Sequence, residues 1–347
     1  MCKKLTIFKT LIAAGSILLF AAVGLIACKG GGGGGSSAVP TVTNSSLLFV
    51  SGINSVPSSV LLSYNNANSV TGSVTANRIV AGGLTALNDP RGIAVDMTRN
   101  FIYVANYGTN TILVFNNART ATGGSAPSQS ISKASTLNGP SGLFIDVVND
   151  RLYVANTVGG SVLIYDNAST LNGGAVPPNR VLSGVLTALS APTGLHVDTS
   201  RDLLYVANGT NEVLVFNNAH TVTGNVAPGR TISGLSSPGG IYVDVVADRL
   251  YVANTGANSV LVFNTASTAS GSPAPDRTLS SGGSLLNQPR DLFIDTGTDR
   301  LYVANAGSKS VLVFNSASTV NDPAVPARNL SPSPVTTPWG VFVDVIP

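Results

Sequence analysis

The sequence predicts an all-β protein, a six-bladed propeller of four-stranded antiparallel blades, and three observations carry that prediction. First, 37 of the 347 residues are Gly and 19 are Pro, and only 10% are charged against 44% hydrophobic. This composition lacks the Ala, Leu, Glu and Lys bias of helical chains and suits many short strands joined by turns. Second, the hexapeptide FIYVAN at 101–106 returns as RLYVAN at 151–156, 249–254 and 300–305 and as LLYVAN at 203–208. A period of about 50 residues with several strands in each unit signals a propeller, whose blades cannot bury both faces alone. Third, the two ends of the repeat array are complementary, so that the chain closes on itself.

In chain order, the amino terminus comes first and stands apart from the fold. Lys3, Lys4 and Lys9 form a positive region, and 11–27 is an apolar run. This pattern reads as an export signal, with an uncleaved transmembrane anchor as the alternative. Its end, Leu25-Ile26-Ala27-Cys28, is similar to the bacterial lipobox, in which the signal is cut before a diacylated cysteine. The expected division is therefore a lipoprotein signal at 1–27, a lipidated Cys28 with a Gly/Ser-rich tether at 28–45, and the propeller at 46–347. Cys2 leaves with the signal, so the mature chain forms no internal disulfide. Several acyl chains on one residue make a lasting membrane anchor. Lys29 lacks the aspartate that retains Gram-negative lipoproteins at the inner membrane, which favours the outer membrane, facing the periplasm or the exterior. The formal charge of +3 gives no basic footprint for nucleic acid.

One repeat, at 140–183, reads as four strands: PSGLFID at 140–146, RLYVAN at 151–156, SVLIY at 161–165 and NRVLS at 179–183. Each is short and rich in β-branched or aromatic residues. The first repeat supplies only three strands, near 47–50, 59–62 and 78–80, whereas PWGVFVD at 338–344 is a lone copy of the missing one. The C-terminal strand completes the N-terminal blade and removes an open sheet edge.

The Pro-x-Gly strand ending in Asp, then Tyr-Val-Ala-Asn, then Ser-Val-Leu-Val-Phe-Asn, resembles the repeats of NHL and YVTN-type propellers over about residues 46 to 347. The resemblance implies the fold and a platform. Related propellers include binding scaffolds, lyases and lactonases, so no single reaction follows from it. By the same resemblance, lactonase-type propellers hold a divalent metal in the channel with a glutamate among its ligands, and amidating lyases hold zinc with several histidines. Glu212, the only Glu, opens a third strand away from the axis, and His196 and His220 lie in different blades. Neither metal site is visible, no cofactor motif or Gly-x-Ser-x-Gly elbow occurs, and the glycine run at 30–35 precedes no helix.

Recurring residues read as structure. Asp96, Asp146, Asp198, Asp244, Asp295 and Asp344 each end a first strand, where a carboxylate can accept N–H groups of the next turn. The Asn of each Val-Ala-Asn braces the turn to the third strand. Along the first strands, Ile93 and Val95 and their equivalents face one neighbouring blade, and Phe144, Tyr242, Phe293 and Phe342 the other, with His196 as a core histidine at the aromatic position.

Function shows where the repeats differ. After the proline that opens each inner strand stand Trp339, Arg91, Ser141, Thr193, Gly239 and Arg290 in blades one to six. Arg290, Trp339 and Arg91 come from adjacent blades and should form one arc at the channel mouth, suited to an anionic or planar ligand or a protein contact. Asp89 and Asp291 stand beside the arginines, where local ion pairing is the plain structural role. The expected function is a non-enzymatic binding or scaffold module of the cell envelope for a protein or small molecule. The alternative is a lactonase- or lyase-like propeller enzyme with an unrecognised site in the channel.

Overall fold

The computed structural model describes residues 46–54, 59–132, 136–171, 173–335 and 337–344. The expected signal, Cys28 and the tether fall outside the described residues. Six sheets follow one another around an axis, each with four strands running antiparallel from an inner to an outer strand, and one of them carries a fifth strand. The third blade has Pro140–Asp146, Arg151–Asn156, Ser161–Asp166 and Arg180–Leu182, in that order from the axis outward.

The first blade is shared between the two ends of the array. Its inner strand is Thr337–Asp344, hydrogen-bonded antiparallel to Leu47–Ile53 with Leu47 opposite Asp344, Phe49 opposite Phe342 and Val50 opposite Val341. The strand that the first repeat lacks is supplied by the last residues, and the ring has no open seam.

Neighbouring blades bury their apolar faces against each other, as twisted sheets with two hydrophobic faces must. Leu203, Tyr205 and Val215 of the fourth blade pack with Ile241, Val243 and Val252 of the fifth. The tyrosine of the repeat adds a polar tie across the same interfaces. Tyr153 donates to the Ala219 carbonyl at 3.2 Å, Tyr251 to that of Ala317 at 3.1 Å, and Tyr302 to that of Ala67 at 3.3 Å, each in the following blade.

The blades are also stitched at their rims. The outer strands of blades one to four each make a parallel bridge to the loop before the next blade's outer strand, Val80 with Gly123, Ile131 with Gly174, Leu182 with Gly224 and Ile232 with Gly271. These glycines hold φ between +73° and +76°, a left-handed conformation in which a side chain would be strained. Between blades six and one the stitch lengthens into a fifth strand, Gly72–Thr75, parallel to Arg328–Ser333. The expected four strands per blade thus become five at this point, and the added strand covers an edge.

The aspartates that end the inner strands do structural work. Asp96 accepts the N–H groups of Thr98 and Arg99, both at 2.9 Å, and Asp198 accepts those of Ser200 at 3.0 Å and Arg201 at 2.9 Å. The repeat asparagines brace both the start of the third strand and the loop leading into the inner strand. Asn156 donates to Ser161 Oγ at 2.9 Å and to the Thr136 carbonyl at 2.8 Å, and accepts from Asn138 N–H at 2.7 Å.

Candidate active site

The inner strands surround a cavity of about 480 Å³ on the axis, within the range of small-molecule sites. At its mouth lie Arg91, Trp339 and Arg290, the three residues the sequence singled out, and the structure brings them together. The guanidinium carbon of Arg91 sits 4.3 Å from the Trp339 ring centroid and 3.2 Å from that of Tyr107, and that of Arg290 sits 4.5 Å from Trp339. Two cations thus stack on one indole, whose π face attracts positive charge.

The two arginines differ in their counter-charges. Arg91 donates to Asp89 Oδ2 through Nε at 3.3 Å and Nη2 at 3.1 Å. This is the local ion pair expected from sequence. Arg290 takes part in none of the ion pairs among the described residues. Its Nε is buried without a hydrogen-bond partner, as is Trp339 Nε1. Burial, and then the charge of Arg91, lower the Arg290 pKa from its ordinary value. A half-buried guanidinium whose Nε has no hydrogen-bond partner and which makes no ion pair among the described residues favours an anionic ligand beside it.

Asp291 is not the partner. Its Oδ2 accepts the Val341 N–H of the first blade at 3.0 Å, so the ion pair expected beside Arg290 does not form. The carboxyl lines the cavity, and burial pushes its pKa up to about 7 against the opposing N–H bonds of Val341 and Leu292. Asp291 also occupies a position where the equivalent residues are Gly92, Gly142, Gly194, Gly240 and Gly340. There a Cβ would meet the next blade's backbone, at 2.5 Å from the Thr193 carbonyl oxygen for Gly142 and from that of Arg91 for Gly340. The sixth blade alone places a side chain at this level. Sequence reasoning weighed Asp291 only as an ion-pairing neighbour, although its replacement of a repeated glycine was the available signal.

The aromatic positions of the inner strands pack against the neighbouring blade as expected, and they also reach the axis. Phe144, His196, Tyr242, Phe293 and Phe342 line the cavity and touch one another around the axis. His196 is held between Phe144 and Tyr242, at 4.7 and 4.8 Å between ring centroids, and burial lowers its pKa to about 4, so the ring is neutral. His220 stands apart, with its Nδ1 against Asp202 Oδ1.

A divalent metal does not fit these residues. Among the described residues no three His, Cys, Asp or Glu side chains converge. Among the described residues, Asp291 and His196 are the only such groups lining the cavity, two guanidiniums share its mouth, and Glu212 is engaged with Thr210 at 3.1 Å outside the cavity lining. The residues the mouth does present are a carboxyl that titrates near neutrality and a cation lacking an anion, a pair suited to proton transfer and oxyanion stabilisation.

Comparison with known proteins bears on this geometry. No curated protein matches the chain. Among solved structures, a chain of a nidogen/laminin complex superposes with a TM-score of 0.60 at 17% identity, covering 86% of this chain and 98% of that one. A Bacteroides fragilis NCTC 9343 protein provisionally described as a 6-phosphogluconolactonase superposes at 0.57 with 14% identity, covering 88% and 99%. One from Bacteroides uniformis ATCC 8492, described in the same way, superposes at 0.54 with 15% identity, covering 88% and 87%. At such identities these likenesses concern the fold.

The family model described as "Lactonase, 7-bladed beta-propeller" matches residues 44–322. This match overturns the expectation of a non-enzymatic module. That expectation rested on the absent catalytic inventory, the tether and the platform fold, but a propeller can assemble a site from single residues of separate inner strands, about 50 positions apart. The chain belongs to the family of lactonase propellers described as seven-bladed, and it builds that propeller with six blades.

Proposed function

We propose that this protein is a lactone hydrolase whose reaction takes place at the channel mouth between Asp291 and Arg290. The observation that carries the reading is Asp291, a carboxyl set into the cavity where the other blades have glycine and held near neutrality by burial. Family membership supports the reaction class.

In this reading the Asp291 carboxylate accepts a proton from water as the water oxygen bonds to the lactone carbonyl carbon. The carbonyl becomes an oxyanion, and the guanidinium of Arg290, which has no anion of its own, stabilises it. Collapse breaks the bond between the carbonyl carbon and the ring oxygen. The Asp291 proton passes to that oxygen, which leaves as a hydroxyl, and the product is an open-chain hydroxy acid with the carboxylate of Asp291 restored. Trp339 holds the two guanidiniums in place by stacking, and Asp89 fixes Arg91. Arg91 and Arg290 together favour the anionic product over the neutral ring, so release of the acid is the slow step when it accumulates.

The amino-terminal sequence supports placing this activity at the cell envelope, with Cys28 as the lipid attachment point. The test of the reaction is a pH-stat assay of the purified protein against a panel of five- and six-membered lactones. Acid release above the uncatalysed rate supports it, and no release from any lactone over the pH range 6 to 9 overturns it.

A further inference from the structure

The ring contacts in the channel form an incomplete belt. At one level of the inner strands stand Phe342, Ala94, Phe144, His196, Tyr242 and Phe293, from blades one to six. From Phe144 to His196, Tyr242, Phe293 and Phe342 the successive centroids are 4.7, 4.8, 5.3 and 4.9 Å apart. The sixth place holds Ala94, between Phe342 and Phe144, and the belt is open there.

The cavity follows that opening. In the fourth, fifth, sixth and first blades its lining ends at the belt, with His196, Tyr242, Phe293 and Phe342. In the second and third blades it continues past the belt to Val95, Ile145 and Val147. The part beyond the belt is thus lined only by aliphatic side chains, whereas the part above it holds Arg91, Arg290 and Asp291.

We propose that the passage beside Ala94 receives an unbranched apolar substituent of the substrate, so that the protein acts on lactones carrying an alkyl tail. The assignment rests on the lactone-hydrolase reading for the ring and adds the chemistry of the rest of the molecule. The ring sits at the mouth among the charged groups, and the tail passes the belt and lies against Val95, Ile145 and Val147. Ala94 is the specificity-determining residue, because any larger side chain there narrows the passage.

Binding of straight-chain alkanoates, which share the product's carboxylate and carry tails of graded length, tests this without needing turnover. Calorimetry of the full chain with butanoate to decanoate should show affinity rising about threefold to fourfold for each added methylene. Ala94→Phe should abolish that rise, with circular dichroism as the folding control. Phe144→Ala, which widens the same passage, should admit methyl-branched tails that the parent protein rejects. Affinities independent of chain length in the parent protein overturn the proposal, as does an unchanged rise in Ala94→Phe. A rise with chain length but no hydrolysis of any lactone supports the tail passage and overturns the ring-opening reading. Hydrolysis with no preference for tail length does the reverse.

Discussion

Asp291 and Gly240 hold the same position in adjoining blades and lie against each other, so that a Cβ on Gly240 would fall 2.7 Å from Asp291 Cα. The repeat keeps glycine at this level because the inner strands approach too closely for a side chain. The sixth blade breaks the rule with a carboxyl group whose Oδ2 takes the Val341 N–H of the first blade. A position that is sterically closed in five blades thus carries, in the sixth, a carboxyl group that lines the cavity.

The raised pKa of Asp291 sets a sign for stability. The folded protein binds its proton more tightly than the unfolded chain, in which the group titrates near 3.8. The stability it contributes is therefore full below about pH 4 and is lost as pH rises through about 7. Asp291→Asn, which mimics the protonated group, should melt close to the parent protein at pH 4.5 and above it at pH 8.5. Comparing the two melting curves across this range checks the direction, and an Asn variant less stable at pH 8.5 would contradict it.

Arg290 should show the opposite balance of stability and function. It makes no ion pair among the described residues, and Arg91 repels it across the Trp339 ring. Arg290→Met should leave the melting temperature unchanged or raised while lowering kcat by about a hundredfold or more, the usual loss for one oxyanion donor. Arg91→Met should cost stability as well, because it leaves Asp89 without its partner. Thermal melts and steady-state kinetics on the two variants separate these outcomes.

Closure of the ring makes a separate prediction. A chain ending at Pro338 lacks most of the first blade's inner strand, leaving Leu47–Ile53 as an open edge and exposing Val341 and Val343 contacts on both sides. It should aggregate or melt well below the full-length protein. An unchanged melting midpoint would contradict the shared blade.

For the amino terminus, Cys28→Ser should abolish metabolic labelling with palmitate and leave the precursor uncleaved by the lipoprotein signal peptidase. Labelling that persists in the variant would show that Cys28 is not the attachment point.

The fold was legible because the repeat writes it five times: the period, the Tyr-Val-Ala-Asn strand and the orphan strand at 338–344 determine blade number and closure. Arg91, Trp339 and Arg290 were legible for a related reason, as bulky residues interrupting a run of small ones. What stayed hidden depended on the third dimension. Asp291 could be read as an ordinary neighbour of Arg290 until the close approach of the inner strands showed what a side chain there means. The belt was hidden in the same way, since alternation along a strand assigns Phe144 or Tyr242 to a blade face, whereas near the axis the faces of all six blades converge. The lactonase alternative was legible from the family resemblance, but no motif singled it out over a scaffold, because the channel is lined by single positions on different strands.

The most direct test of the account is the pH dependence of lactone hydrolysis in the parent protein and in Asp291→Gly. The glycine variant restores the residue found at this position in the other five blades, so it should fold and melt like the parent protein below pH 5 or better above it. In the parent protein kcat/KM should rise tenfold per pH unit below about 7 and level off above it, as the Asp291 carboxylate forms. In Asp291→Gly the rate should fall by about a hundredfold to ten-thousandfold and lose this inflection. A folded Asp291→Gly protein that hydrolyses lactones at the parent rate with the same pH profile would contradict the assignment of Asp291 as the base.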